Sequence, residues 1–471
     1  MAISSSFCLE ELETIQMAQT QILQVRSWVQ SVAGGGLNQD LNHVSLPLSD
    51  CGKLYSESEF RVAQIVAGEK NYTDDDARTW LSGVLANHRT CFDGLSEKGF
   101  LEAGRDELAH NLTFLLGKSL AFYSRGRSIR RGVPKIPKPS HNEGILTSWS
   151  PTTSKADYVV AKDGSGTHKS IKDAIAALGK LGKTRTQRIV VHVKAGVYNE
   201  NVEIGHHIKN VMLVGDGIDR TVITGSRNVP DGYTTLTSAT FGVSGDGFWA
   251  RDITFENTAG PAKHQAVALK VSSDHAVFYR CSFKAYQDTL YAHSLRQFYR
   301  DCHIYGTVDF IFGDASAVFQ NCDIFVRRPM SGQANYITAQ GRDNPNENTG
   351  ICIQRSRVRP SPEFLNARKS IRSYLGRPWR KYSRTVFMQT DLDGIIDPTG
   401  WGPWHGNYAL STLFYAEYKN TGNGASTSRR VNWPGFHVLN TPRQAMPFTV
   451  SRFIQGEAWI PATGVPFWLE I

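Results

Sequence analysis

The chain has 471 residues, 42 of them Gly, and a net charge of +9. Two or three domains with a large core fit that length, and no apolar run approaches the ~18 residues of a membrane-spanning helix, so no membrane span is expected. A basic balance invites a nucleic-acid reading, but no Lys/Arg stripe, zinc motif or RNA-binding signature is present, so no nucleic acid is expected and an anionic polysaccharide fits equally well.

The charge is uneven. Residues 1–120 carry 9 Lys and Arg against 16 Asp and Glu, residues 121–155 carry 7 against 1, and residues 156–471 carry 36 against 26. An acidic front and a basic body are suited to associate with each other, and the body to meet an acidic partner.

Residues 9 to about 122 read as four helices. Ile15, Ile22, Val25 and Val29 recur at helical spacing, and Leu54, Val62, Ile65 and Val66 follow a second start near Asp50. Thr73 is placed to cap a third helix, with Asp74, Asp75 and Asp76 in its first turn and Trp80, Leu81, Val84 and Leu85 inward. Leu108, Leu112, Leu115, Leu116 and Leu120 stripe a fourth. Short connections make this an up-and-down four-helix bundle. Cys51 and Cys91 fall in its second and third helices, where they either join the two or lie as buried thiols.

The sequons Asn71-Tyr72-Thr73 and Asn111-Leu112-Thr113 are weak support for a secreted glycoprotein. The N-terminus, Met1 to Cys8, lacks the basic region and apolar run of a signal peptide, so the chain is expected to begin after a removed segment or to be truncated. Residues 123–155 hold Arg125, Arg127, Arg130, Arg131, Pro134, Pro137 and Pro139 with few apolar residues, which predicts a protease-exposed linker.

From Tyr158 onward the pattern changes to short strands, with one amphipathic helix near Ile171–Leu178 expected to cap their stack. A motif of an aromatic, two polar residues, Cys, any residue and an apolar residue appears three times. It runs Phe278 to Phe283, Tyr299 to Ile304 and Phe319 to Ile324, with Cys281, Cys302 and Cys322 stepping by 21 and then 20. Such a period is a solenoid signature, and in a parallel β-solenoid equivalent residues on successive coils stack about 4.8 Å apart. Asp288 and Asp309 share the interval of 21, so the arithmetic places them one rung apart. Carboxylates that close do not both ionise freely: one holds a proton and the other is anionic. Gln265 precedes Gln287 by 22 residues, which brings both amides to the same face as donors for a developing oxyanion.

These residues also carry a resemblance. Gly196-Val197-Tyr198-Asn199-Glu200, Gln265-Ala266-Val267-Ala268-Leu269, Tyr286-Gln287-Asp288-Thr289-Leu290-Tyr291, Asp309-Phe310-Ile311-Phe312-Gly313 and Leu375-Gly376-Arg377-Pro378-Trp379 resemble the plant pectin methylesterases (pectinesterases). The match covers residues 157–471. Residues 9–122 more weakly resemble the inhibitor-like pro-region of many plant members, through Leu48-Ser49-Asp50-Cys51, Thr79-Trp80-Leu81-Ser82 and Cys91.

The resemblance implies a right-handed parallel β-helix, mainly β overall, preceded by the all-α bundle. It implies three regions: an inhibitor-like pro-region at 1–122, N-terminally incomplete, a basic Pro-rich linker at 123–155, and a catalytic domain at 156–471. It implies hydrolysis of galacturonate C6 methyl esters in the cell wall, without cofactor or metal, by a monomer whose partners are methyl-esterified pectin and its own pro-region or inhibitor proteins. By motif, Asp309 is the nucleophile, Asp288 the proton donor, and Gln287 the oxyanion stabiliser. Gln265 and Thr235 contact substrate, Arg377 pairs with Asp309 and keeps it ionised, and Trp379 and Tyr291 wall the sugar site. A Cys302–Cys322 bridge follows from the same pattern.

Arg130-Arg131 is followed by Gly132-Val133, where the family's processing site has two leucines. A lyase would need a calcium cluster and a basic proton acceptor, and a glycosidase would set its carboxylates across a glycosidic bond. The paired glutamines and Arg377 fit acyl transfer better. An inhibitor or wall-binding module would explain the front but not the Gln/Gln/Asp/Asp/Arg set. No G-x-S-x-G elbow supports a serine mechanism.

Overall fold

The computed structural model describes residues 9–34, 45–68, 72–100, 106–124, 144–181, 187–368 and 370–471. Cys8, the sequon residue Asn71, and the linker segment 125–143 with Arg130-Arg131 lie outside the described residues. The chain forms two compact units. One comprises residues 1–130 with segments Gly232–Thr237 and Asn344–Asn348; the other comprises the remainder.

In the first unit, four helices, α1 (Leu9–Gly34), α2 (Ser45–Ala67), α3 (Asp74–Glu97) and α4 (Asp106–Ser124), pack around one core. The α1 stripe Ile15, Ile22, Val25 and Val29 is buried, as are Leu54, Val62 and Ile65 of α2. α2 begins five residues earlier than the sequence suggests, because Ser45 and Pro47 already form its first turn. Thr73 caps α3 reciprocally: Asp76 N donates to Thr73 Oγ1 and Thr73 N to Asp76 Oδ2. Cys51 and Cys91 form a disulfide that joins α2 to α3. Beside it Tyr55 Oη lies 2.7 Å from His88 Nδ1, while His88 Nε2 lies 3.1 Å from Ala109 O. A carbonyl only accepts, so Nε2 carries the proton and Nδ1 accepts from Tyr55.

The second unit is a right-handed parallel β-helix. Successive coils contribute strands to three parallel sheets, of eleven, seven and eight strands. The repeat read from the sequence is the coil register: Phe278 aligns with Tyr299 and Tyr299 with Phe319. Their rings stack at 5.0 Å and 4.4 Å in the interior, a continuous apolar column. At the following bend Arg280, Asp301, Asn321 and Arg355 all take left-handed backbone, φ 49–54°, so each coil turns at the same place.

The expected Cys302–Cys322 bridge is not formed. Both cysteines are fully buried free thiols. Each bonds to backbone carbonyls instead, Cys302 Sγ to Phe278 O and Arg300 O, Cys322 Sγ to Tyr299 O and Gln320 O.

Helix α6 (Ile171–Gly179), capped by Ser170, buries Ile171, Ala174, Ile175 and Leu178 against the first coil. A short helix, α5 (Ile145–Ser148), departs from the linker expectation. Leu146 and Trp149 pack on the eleven-stranded sheet, and Arg251 donates to the carbonyls of Leu146, Thr147 and Trp149. An apolar pair inside a basic, Pro-rich stretch was the signal for that anchor. Among the described residues no helix is long and apolar enough to cross a membrane.

Candidate active site

Leu290 pairs with Ile311 in the seven-stranded sheet, so the residues two positions before each, Asp288 and Asp309, occupy equivalent places on successive coils. Asp288 N donates to Val308 O at 3.0 Å, which ties the two bends together. Both aspartates adopt left-handed backbone, φ 63° and 52°. Asp tolerates that region better than most residues, and the conformation turns both carboxyls at the junction between sheets. They are nearly buried, at 7 % and 5 % exposure. Gln265 and Gln287 are bridged in parallel on the adjoining coils, both half-buried.

Arg377 follows the strand Ser373–Gly376 and reaches back to Asp309. Nε donates to Oδ1 at 2.8 Å and Nη2 to Oδ2 at 2.6 Å, a bidentate charge-assisted grip. Burial pushes the Asp309 carboxyl above the usual carboxylate range, and Arg377 pulls it partly back. Desolvation outweighs the ion pair in direction, and the grip of Arg377 is what favours the anion. Burial also opposes the charge on Arg377, but Asp309, Tyr336 and Asp288 hold its pKa above the usual value.

Aromatic residues adjoin the pair. Tyr291 stacks on Phe312 at 4.2 Å, and Trp379 meets both edge-on, at 6.5 Å and 6.0 Å. Tyr291 is only 3 % exposed and packs behind the half-buried Trp379. Phe312 was missed in sequence, although it lies inside the Asp309 motif. Tyr336 and Trp404, whose rings lie against the Arg377 guanidinium, were missed as well. Only the register reveals Tyr336, and no sequence signal marks Trp404.

Thr235 belongs to the other unit, where its Oγ1 donates to Glu97 Oε1 of α3 at 3.2 Å. In that unit Thr234 Oγ1 also donates to Asp50 Oδ2 at 2.8 Å.

Paired carboxylates beside aromatic rings on a β-helix fit an enzyme that acts on a sugar polymer. Comparison with known proteins narrows the class. Residues 157–457 match the pectinesterase family, and residues 11–121 match the plant invertase/pectin methylesterase inhibitor family. The chain belongs to the pectinesterase family. It is 58 % identical to "Probable pectinesterase/pectinesterase inhibitor 36" of Arabidopsis thaliana, over 97 % of this chain and 94 % of that one. It is 49 % identical to "Pectinesterase 2" of Citrus sinensis, over 89 % and 80 %. Among solved structures it is similar to the pectin methylesterase from carrot, with a TM-score of 0.67 and 53 % identity, covering 68 % of this chain and all of that one. The pectin methylesterase from Aspergillus niger is 32 % identical with a TM-score of 0.56, covering 65 % and 96 %.

Proposed function

We propose that this pectinesterase hydrolyses galacturonate C6 methyl esters in pectin through an aspartyl acyl-enzyme, releasing methanol. The observation that carries the reading is the coil-equivalent Asp288 and Asp309, with Arg377 gripping Asp309 bidentately. Two carboxyls one rung apart, with a guanidinium held bidentately on Asp309, supply the pair that a nucleophile and an acid require.

Anionic Asp309 attacks the ester carbonyl carbon and pushes its electron pair onto the carbonyl oxygen. Gln287 donates to that oxyanion, with Gln265 holding substrate beside it. As the tetrahedral centre collapses, Asp288 gives its proton to the methoxy oxygen, and methanol leaves. Asp288, now a carboxylate, takes a proton from water. The hydroxide adds to the galacturonyl carbonyl, the anhydride bond breaks, and Asp309 is regenerated as a carboxylate. Trp379 walls the sugar, with Tyr291 behind it.

Hydroxylamine trapping during turnover tests the covalent step. An anhydride partitions to a galacturonyl hydroxamate that requires Asp309. Methanol release with no Asp309-dependent hydroxamate would instead make Asp309 a general base for direct attack by water.

The front unit is read as a restraint on this activity, acting on the exported enzyme in the cell wall. The match to the inhibitor family supports that reading. Faster methanol release by the 144–471 fragment, which keeps the Leu146–Trp149 anchor, than by the full chain is the expected result, and equal rates would refute the restraint.

A further inference from the structure

Asp309 is nearly buried, and its ionised form depends on one long side chain. An arginine loses substantial rotamer freedom when it is held in one geometry, so something has to fix Arg377. The guanidinium carbon of Arg377 lies 4.3 Å from the ring centroid of Tyr336 and 4.4 Å from that of Trp404. Contacts of this kind are favourable for the cation, more so where water is removed.

Tyr336 is itself locked. Ile311 pairs with Thr338, so Tyr336 sits on the coil after Asp309 in the same column, and Phe310 N donates to Tyr336 O. The Tyr336 ring stacks on Tyr374 at 5.2 Å. Gly402 passes so close that a Cβ there would stand 2.5 Å from Tyr336 Cε1. Trp404 follows two residues later and is half-buried.

We propose that Tyr336 and Trp404 are positioning residues for the ester hydrolysis: they clamp the Arg377 guanidinium between two aromatic faces, which leaves its edge to grip Asp309. The inference rests on the reading of Asp309 as nucleophile. Each ring takes a place that water would otherwise occupy against the guanidinium, while the guanidinium N–H donors point at the carboxylate. The charged and titratable groups that bear on Asp309 are Arg377, Asp288 on the preceding coil, Tyr336 on the following coil, and the buried Tyr415 of the long sheet. Of these only Arg377 opposes the burial of the carboxylate. If the clamp is lost, the cation is free to swing away, the Asp309 pKa rises further, and the acidic limb of activity moves to higher pH.

The test uses the full chain with Trp404→Leu, Tyr336→Leu, Trp404→Phe and Tyr336→Phe, measuring methanol release from methylated pectin across pH. The Leu variants are expected to lower kcat about 30-fold, the equivalent of one desolvated cation–π contact. Their acidic limb should move up by about one pH unit, with KM changed less than about threefold. Phe restores both readouts, because it keeps the ring face. If Tyr336→Leu does not fold, Trp404→Leu carries the test alone, since Trp404 lies in a half-buried loop. A raised KM with kcat and the acidic limb unchanged would overturn the clamp and make these rings sugar contacts only. Failure of Phe to rescue would also overturn it. Asp309→Ala, run in parallel, separates the two levels. Residual methanol there removes the nucleophile reading and the clamp with it, whereas a dead Asp309→Ala beside parent-like Leu variants removes the clamp alone.

Discussion

His88 makes the helical unit sensitive to acid. It sits in α3 at 2 % exposure between Tyr55 of α2 and Ala109 of α4. Burial pushes its pKa from 6.5 down to about 4. The unfolded chain therefore takes up a proton below pH 6.5 that the folded unit refuses until about pH 4. The stability supplied by neutral His88 is complete above pH 6.5, declines as the pH falls from there to about 4, and then levels. The loss between pH 7 and 4.5 is on the order of 2–3 kcal/mol for this one group, from the linkage of about 1.4 kcal/mol per pH unit. Acidic residues add their own pH dependence, so the informative quantity is a difference. His88→Gln keeps a donor and an acceptor but does not titrate. Hydrogen exchange of α2 and α3 peptides in the full chain, corrected for intrinsic rates, gives the opening free energy at both pH values. The parent should lose roughly 2–3 kcal/mol more than His88→Gln. Parallel losses in the two proteins would refute the reasoning.

Further outcomes follow from other contacts. Cys51→Ala with Cys91→Ala opens a loop of 40 residues and should destabilise the helical unit by about 4 kcal/mol in the chain-entropy view, read by urea unfolding. Gly376→Ala would set a Cβ 2.1 Å from Thr338 Oγ1, immediately before Arg377. It should cost about 1–3 kcal/mol of stability and lower kcat as Arg377 is displaced, whereas unchanged kinetics would argue against a tight register there. Arg430→Met leaves Glu417 buried without its bidentate partner, at 2 % side-chain exposure. A loss of about 3–5 kcal/mol in the β-helix is expected from thermal and denaturant unfolding.

The β-helix was legible wherever the coil period stayed near 21. Phe278, Tyr299 and Phe319 align as the arithmetic requires, and so do the bends that hold Asp288 and Asp309. Regularity ends after Cys322. The coil from Ser316–Gln320 to Gly350–Gln354 is 34 residues long, so no fixed interval leads from Asp309 to Tyr336. Arg377 lies 68 residues beyond Asp309 and was reachable only through the resemblance to a family. Trp404 sits in a loop with no periodic signal. The balance of forces on Asp309 was not legible for a different reason: a motif names the counter-ion but not the depth of burial, and here burial is the larger effect. Helix boundaries followed local chemistry, well at the Thr73 cap and five residues late at Ser45, where Pro47 was not weighed as a first-turn residue.

The most direct measurement is methanol release from highly methylated pectin by the full chain and by Asp309→Ala, with unsaturated and shortened products followed in the same samples. Methanol from the parent, none above background from Asp309→Ala, retained pectin binding by the variant and no chain cleavage by either is the expected result. Unsaturated or shortened product without methanol, or methanol release that survives Asp309→Ala, would contradict the assignment of Asp309 as the nucleophile of an esterase.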